Sequence, residues 1–238
     1  KIVFASKNLC DYFRNQNLIS VEKSAVIPNG YSETLWSEVE ENRSKICKAN
    51  ERLPLTISHV GSLQLGSTGG FRDTSVFMDV ISCNRGMNLS IKFVGASGSL
   101  KKYDRRIEAI PRVSQSRSLH YMLESDVLIV MHTAEDNSGR FINTGKFFDY
   151  IRSGKIIWGI GRTDTFFNQM IREYSLGITS ENNYEAISSS IRLLYDKYLA
   201  GELSSLRSND QQSRLDYYSR EKLNRDYVSI IDDLIRNG

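Results

Sequence analysis

Lys146 and Asp149 stand three residues apart in the run Asn143 to Ile160, Asn-Thr-Gly-Lys-Phe-Phe-Asp-Tyr-Ile-Arg-Ser-Gly-Lys-Ile-Ile-Trp-Gly-Ile. On a helix that spacing places both on one face near its start. A lysine beside a helix N-terminus attracts phosphate, since the unpaired N–H groups and the helix dipole both favour an anion there. A carboxylate one turn on can accept hydrogen bonds from a neighbouring diol. The same two residues equally suit a plain ion pair on a solvated face.

The other residue types that often carry chemistry are scattered. Cys10, Cys47 and Cys83 form no CxxC and have no histidine cluster near them, so they read as small buried side chains in a reducing compartment, with neither a disulfide frame nor a metal site. His59, His120 and His132 read as structural.

The elements that must position Lys146 and Asp149 follow from the same run. Asn143 or Thr144 can cap a helix whose first turn holds Gly145 and Lys146, and Gly154 is a natural terminator. The apolar Ile156-Ile157-Trp158 then reads as a buried strand. Elsewhere strands are expected at 2–5, 24–27, 55–60, 89–94, 108–110, 127–131 and 176–178. Helices are expected from Ser6, over 33–51, from Asp73 to about Cys83, and over 116–124, 164–175 and 183–200, with a long charged helical tail from about 210. Glycine-containing loops at 61–70 and 95–98, the Pro111 turn and the loop before Thr144 all fall at strand carboxyl ends, so they converge on one rim. Strands that are nearly all apolar and alternate with helices define an α/β fold with a parallel sheet covered on both faces. Trp158 and Phe147 read as core, and Tyr121, Tyr217 and Tyr218 as packing or interdomain residues.

The chain of 238 residues is 40% apolar and 25% charged, with a formal charge of +3. That charge, with no dense Lys/Arg run, gives no case for nucleic acid and fits an anionic metabolite. No apolar run approaches the ~18–20 residues of a membrane span. There is no GxGxxG after a first strand and no GxxxxGK[ST], which weakens dinucleotide and P-loop readings. The start at Lys1, inside an apparent core strand, reads as a chain cut from something longer.

In order, Val26-Ile27-Pro28-Asn29-Gly30, Gly61-Ser62-Leu63, Phe93-Val94-Gly95, Ser125-Asp126-Val127 and Thr144-Gly145-Lys146-Phe147-Phe148-Asp149-Tyr150 with Ser153-Gly154-Lys155 resemble the C-terminal half of a GT-B glycosyltransferase. More narrowly they resemble the group 1 (GT4-like) family that builds bacterial surface polysaccharides. The resemblance covers residues 24 to about 235 and implies a Rossmann-like parallel sheet flanked by helices. It implies residues 1–52 as the end of an acceptor domain plus linker, 53–205 as the nucleotide-sugar donor domain, and 206–238 as a helix returning to the acceptor half.

It implies roles position by position. The loop after Gly61 and Ser62 would wrap the diphosphate with Arg72 as its cation; residues 110–113, with Arg112 and Val113, would hold the nucleobase. The turn Thr144-Gly145-Lys146 would meet the diphosphate or sugar, and Asp149, where the family most often has Glu, would grip the ribose. Many members carry a second Glu eight positions earlier; here that position is Phe141, with Glu135 and Asp136 as remote substitutes. Residues 64–71 also contain no Lys or Arg.

The implied activity is hexosyl transfer from a nucleoside-diphosphate sugar to a glycan or lipid-linked acceptor. Neither a cofactor nor a metal is expected, and the cytoplasm, at the inner face of the membrane, is the expected location. The acceptor, and any peripheral membrane contact, would fall to the other half, where the catalytic groups would also lie, so these residues alone should fold but transfer nothing. A non-catalytic nucleotide- or sugar-binding relative is the alternative. Nothing marks a pyridoxal-phosphate lysine or an epimerase signature.

Overall fold

The computed structural model describes residues 1–42, 53–64, 71–97, 104–134, 136–142, 144–208, 210 and 212–237. The chain opens with β1 (Ile2–Phe4), α1 (Lys7–Asn15) and β2 (Ser24–Val26); the two strands pair in parallel. Ser6 caps α1 by accepting from the Leu9 N–H at 3.4 Å, and the Arg14 guanidinium ties the helix to Ser24 at 2.8 Å. After the turn at Pro28-Asn29-Gly30, α2 (Glu33–Glu41) starts at the capping hydroxyl of Ser32.

The main sheet is built from β3 (Leu55–Gln64), α3 (Ser75–Cys83), β4 (Leu89–Ser97), β5 (Ile107–Ile110), α4 (Gln115–Glu124), β6 (Val127–His132), α5 (Gly145–Ser153), β7 (Ile156–Gly161), α6 (Phe166–Glu173), β8 (Gly177–Ser180) and α7 (Tyr184–Leu199). Its six strands are all parallel, in the order β5-β4-β3-β6-β7-β8. All residues of β6 and β7 are buried, as a sheet covered on both faces demands. One face packs Leu128, Val130 and Ile157 against α4, α5 and α6, with Trp36 and Val39 of α2 in the same cluster. The other packs Ile57, Phe93, Ile129 and Trp158 against α3 and α7. The order reverses at β3/β6, where the two crossovers leave in opposite directions and open a crevice at the carboxyl ends of the strands.

The last segment, α8 (Gln212–Leu215), a 3-10 turn (Asp216–Tyr218) and α9 (Arg220–Asn237), returns to the opening unit. Tyr31 and Ser219 form a parallel bridge, with Tyr31 N donating to Tyr218 O at 3.1 Å and Arg220 N to Tyr31 O at 2.8 Å.

Several expectations are corrected. Gly61–Gln64 and Gly95–Ser97 are strand, not loop: beyond an irregularity at Val60/Leu63 the ladder resumes with Leu63 opposite Ala96. Residues 65–70 and 98 of the expected loops lie outside the described residues. Thr74, not Asp73, precedes α3, although the Asp73 carboxylate still accepts from Ser75 N at 2.8 Å. In the polar segment 33–51 the fully buried anchor is Trp36; Ile46 and the part beyond residue 42 lie outside the described residues. The charged tail is broken by the 3-10 turn rather than continuous. Cys10 is buried as expected but Cys83 is exposed, and Cys47 lies outside the described residues. Phe147 and Trp158 are core, and Tyr218 packs its ring 5.0 Å from Phe148. Among the described residues no helix is long and apolar enough to cross a membrane.

Candidate functional site

A cleft of about 510 Å³ lies at the carboxyl ends of β3, β4 and β5 and against the start of α5. Its walls include Gly61 and Ser62 from β3, Val94 and Gly95 from β4, Arg112 and Val113 after β5, Gln115 and Ser118 of α4, Gly145, Lys146 and Asp149 of α5, and Arg220 of α9. The volume suits a nucleotide-sized ligand. A larger, open depression of about 730 Å³ with Arg85, Arg105 and Arg106 lies at the amino ends of β4 and β5. That is the wrong end of a parallel sheet for a ligand, and Arg106 there is occupied with Asp104 and the carbonyls of Asn84 and Met87.

Of the nine candidate residues, Gly61, Ser62, Arg112, Val113, Gly145, Lys146 and Asp149 line this one cleft. Arg72 stands at its edge, donating through Nη1 to the Ser62 carbonyl at 3.1 Å. Thr144 occupies the N-cap of α5 in extended conformation, and its side chain makes no capping bond; Asn143 lies outside the described residues. Gly154 closes the helix in the left-handed region (φ 70°), which a side chain would disfavour.

Lys146 and Asp149 do share a face, but not a solvated one. Asp149 is 4% exposed, and among the described residues the two form no ion pair. The hydrogen bond that Asp149 receives comes from the Trp36 indole N–H, 3.2 Å from Oδ1. Burial pushes the Asp149 carboxyl above its ordinary pKa, while Lys146, the Trp36 bond and Arg220 pull the other way. Burial likewise lowers Lys146, opposed by Asp149 and assisted by Arg220. The cleft thus holds three cations, Arg112, Lys146 and Arg220, beside a helix N-terminus and, one turn along that helix, a carboxylate. That is a pattern for an anionic group joined to a hydroxyl-bearing one.

The main chain between β3 and β4 is unusually close. A Cβ on Gly95 (φ +88°) would fall 2.8 Å from the Gly61 carbonyl oxygen. Behind Gly61, His59 is buried, its Nδ1 3.1 Å from the Ile129 carbonyl and its Nε2 without a partner among the described residues. Its burial and then the nearby Arg72 lower its pKa to about 4.

Trp36 and Arg220 are the residues that sequence reasoning missed. Trp36 is one of two tryptophans in the chain, and a lone large aromatic in a helix otherwise rich in acids was the available signal. Arg220 carried none; its Nε binds the Gly30 carbonyl at 3.0 Å, a partner 190 residues away. Phe141 does not line the cleft: its ring lies 5.5 Å from Tyr12 of α1. Asp136 caps a 3-10 turn by accepting from Ser138 N at 3.0 Å, and Glu135 lies outside the described residues.

No protein-family model matches the sequence, and no curated protein matches it. Solved structures match its fold. A glycosyltransferase from Rickettsia africae ESF-5 superposes with a TM-score of 0.65 at 14% identity, over 100% of this chain and 64% of that one. MnaA of S. aureus, solved with UDP, gives 0.58 at 12% identity over 98% of this chain and 58% of that one. WaaG, a glycosyltransferase involved in lipopolysaccharide biosynthesis, gives 0.58 at 11% identity over 94% and 59%. The chain therefore spans less than two thirds of the length of each of these proteins. At such identities the likeness is one of fold.

Proposed function

We propose that this chain, whose Rossmann-like fold is that of the GT-B glycosyltransferases, binds a nucleoside-diphosphate sugar in the cleft and serves as the donor half of a hexosyltransferase of the group 1 kind. The observation that carries this reading is that Gly61, Ser62, Arg112, Val113, Gly145, Lys146 and Asp149 meet in one cleft at the reversal point of the sheet. The sugar C1–oxygen bond breaks toward the diphosphate, which leaves with the electron pair, and an acceptor hydroxyl oxygen takes its place at C1 while its proton passes to the leaving diphosphate or to water. The developing charge would be met by the N–H groups that open α5, by Lys146 and by Arg72 at the rim, fixed donors aimed where charge appears. The base would lie against Arg112 and Val113, and the ribose against Asp149. The acceptor, a glycan or lipid-linked chain of a surface polysaccharide, would be held outside these residues, in the cytoplasm at the inner face of the membrane. The likeness to MnaA solved with UDP supports the nucleotide, and the likeness to WaaG, a glycosyltransferase, supports the reaction class.

One observation favours a second reading. Phe141 stands where the sequence resemblance calls for an acidic contact to the sugar, and it packs on Tyr12 instead. A chain that holds the nucleotide and leaves the donor intact would tolerate this. Calorimetric titration with a panel of nucleoside diphosphates and their sugars tests binding. One nucleoside diphosphate should bind at least tenfold more tightly than its nucleoside, and a panel bound no better than the nucleosides would refute both readings.

A further inference from the structure

We propose that Trp36 is the positioning residue of the ribose subsite, fixing Asp149 from a helix that lies outside the six-stranded sheet. The proposal rests on the donor-binding reading above and deepens it. An indole N–H can only donate, so the 3.2 Å bond to Asp149 Oδ1 holds that oxygen as an acceptor. It leaves Oδ2, and the second lone pair of Oδ1, for a ligand.

Trp36 is 0% exposed, and Asp149 4%. A carboxylate taken this far out of water is costly unless donors meet it, and here the donor comes from α2. The indole is itself held. The Arg152 guanidinium lies 5.4 Å from the ring centre and forks onto two acids of α2, reaching Glu33 at 2.6 Å and Glu40 at 3.0 Å. Arg152 sits on α5, as Asp149 does, so the two helices are joined twice, once by the indole bond and once by the ion pairs above it. The ribose carboxylate, carried by α5 in the cleft wall, is therefore also held from outside it, by the segment that follows the Pro28-Asn29-Gly30 turn.

The test is Trp36→Phe, which keeps an aromatic ring in the site and removes the donor. Binding of uridine diphosphate and of its 2′-deoxy analogue is measured by calorimetry for wild type and variant, at one ionic strength. Wild type should prefer the ribo form by about tenfold or more, the loss expected for a hydrogen bond to a charged group. The variant should lose most of that preference while its affinity for the deoxy form changes little.

A structural role alone would weaken both ligands alike. A variant that keeps the wild-type preference would overturn the role of Trp36. A wild type that binds both forms equally, or binds neither, would overturn the ribose reading and this proposal with it. Should the variant not fold, the indole N–H resonance of Trp36 in the wild type decides the matter. It should shift on titration with the ribo form and much less with the deoxy form, and an unmoved resonance would refute the proposal.

Discussion

The Tyr150 hydroxyl bridges the main chain of Val60: it accepts from the Val60 N–H at 2.7 Å and donates to the Val60 carbonyl at 3.2 Å. The β3–β6 ladder pairs Ile57 with Val127 and Ser58 with Leu128; at Val60, a side chain of α5 takes the place of a strand partner. The strands part here, at the reversal point, and the hydroxyl satisfies buried backbone groups that the parted ladder would leave unpaired. One turn of α5 thus carries both the cleft residue Asp149 and the pin that sets the backbone just before Gly61.

Tyr150→Phe should therefore destabilise the fold by about 1–3 kcal/mol, the cost of leaving a buried N–H unpaired. Urea unfolding measures it directly. A change below about 0.5 kcal/mol would mean that Val60 finds another partner.

Gly95→Ala should be more damaging than an ordinary strand substitution. Its φ of +88° and the 2.8 Å approach to Gly61 O combine backbone strain with a main-chain clash, of order 1–3 kcal/mol for the strain alone. Nucleotide affinity should fall with stability, because Gly61 forms the cleft wall. Wild-type affinity in a measurably destabilised variant would show that the position of Gly61 does not matter to the ligand.

His59 makes stability depend on pH. Its pKa is about 4 in the folded chain against 6.5 ordinarily. The unfolded chain therefore binds the proton more tightly between those values, and the contribution of His59 is complete above about 6.5 and lost as pH falls toward 4. The difference corresponds to about 3 kcal/mol. His132, whose burial also lowers its pKa, acts in the same direction and is present in both proteins compared. His59→Asn should flatten the stability–pH curve between pH 6.5 and 4, and equal slopes would contradict this.

Much of this arrangement was legible in the sequence because it is local. Thr144 before α5, Gly154 after it, and the apolar strands on either side are short-range signals, and the helix appears within a residue of where they place it. The glycines at 61 and 95 misled for the opposite reason. They punctuate loops in isolation, but here they let two strands approach closely, and pairing continues past them. The bond from Trp36 to Asp149 joins residues 113 positions apart, and Arg220 reaches back to Gly30 from the far end of the chain. No local periodicity encodes such contacts; they exist only once α2 and α9 are packed. The solvated ion pair allowed for Lys146 and Asp149 gave way for the same reason, since Asp149 is buried and takes its hydrogen bond from Trp36 of α2.

Lys146→Ala should weaken a nucleoside diphosphate by about 1.5–3 kcal/mol, the range for a charge-assisted contact, and leave the nucleoside nearly unaffected. Added salt should weaken the wild-type interaction by screening. Equal losses for nucleoside and diphosphate in calorimetry would remove the phosphate role.

The central claim is that Asp149 grips a ribose in this cleft, and a double cycle tests it most directly. Wild type and Asp149→Asn are each titrated with a nucleoside diphosphate and its 2′-deoxy analogue. Asparagine can still accept from Trp36 through its carbonyl, so the substitution removes the charge and leaves the packing. Wild type should favour the ribo form by about 1.5–3 kcal/mol, and the variant should lose most of that preference. A preference unchanged in Asp149→Asn would contradict the ribose assignment and reduce Asp149 to the packing partner of Trp36.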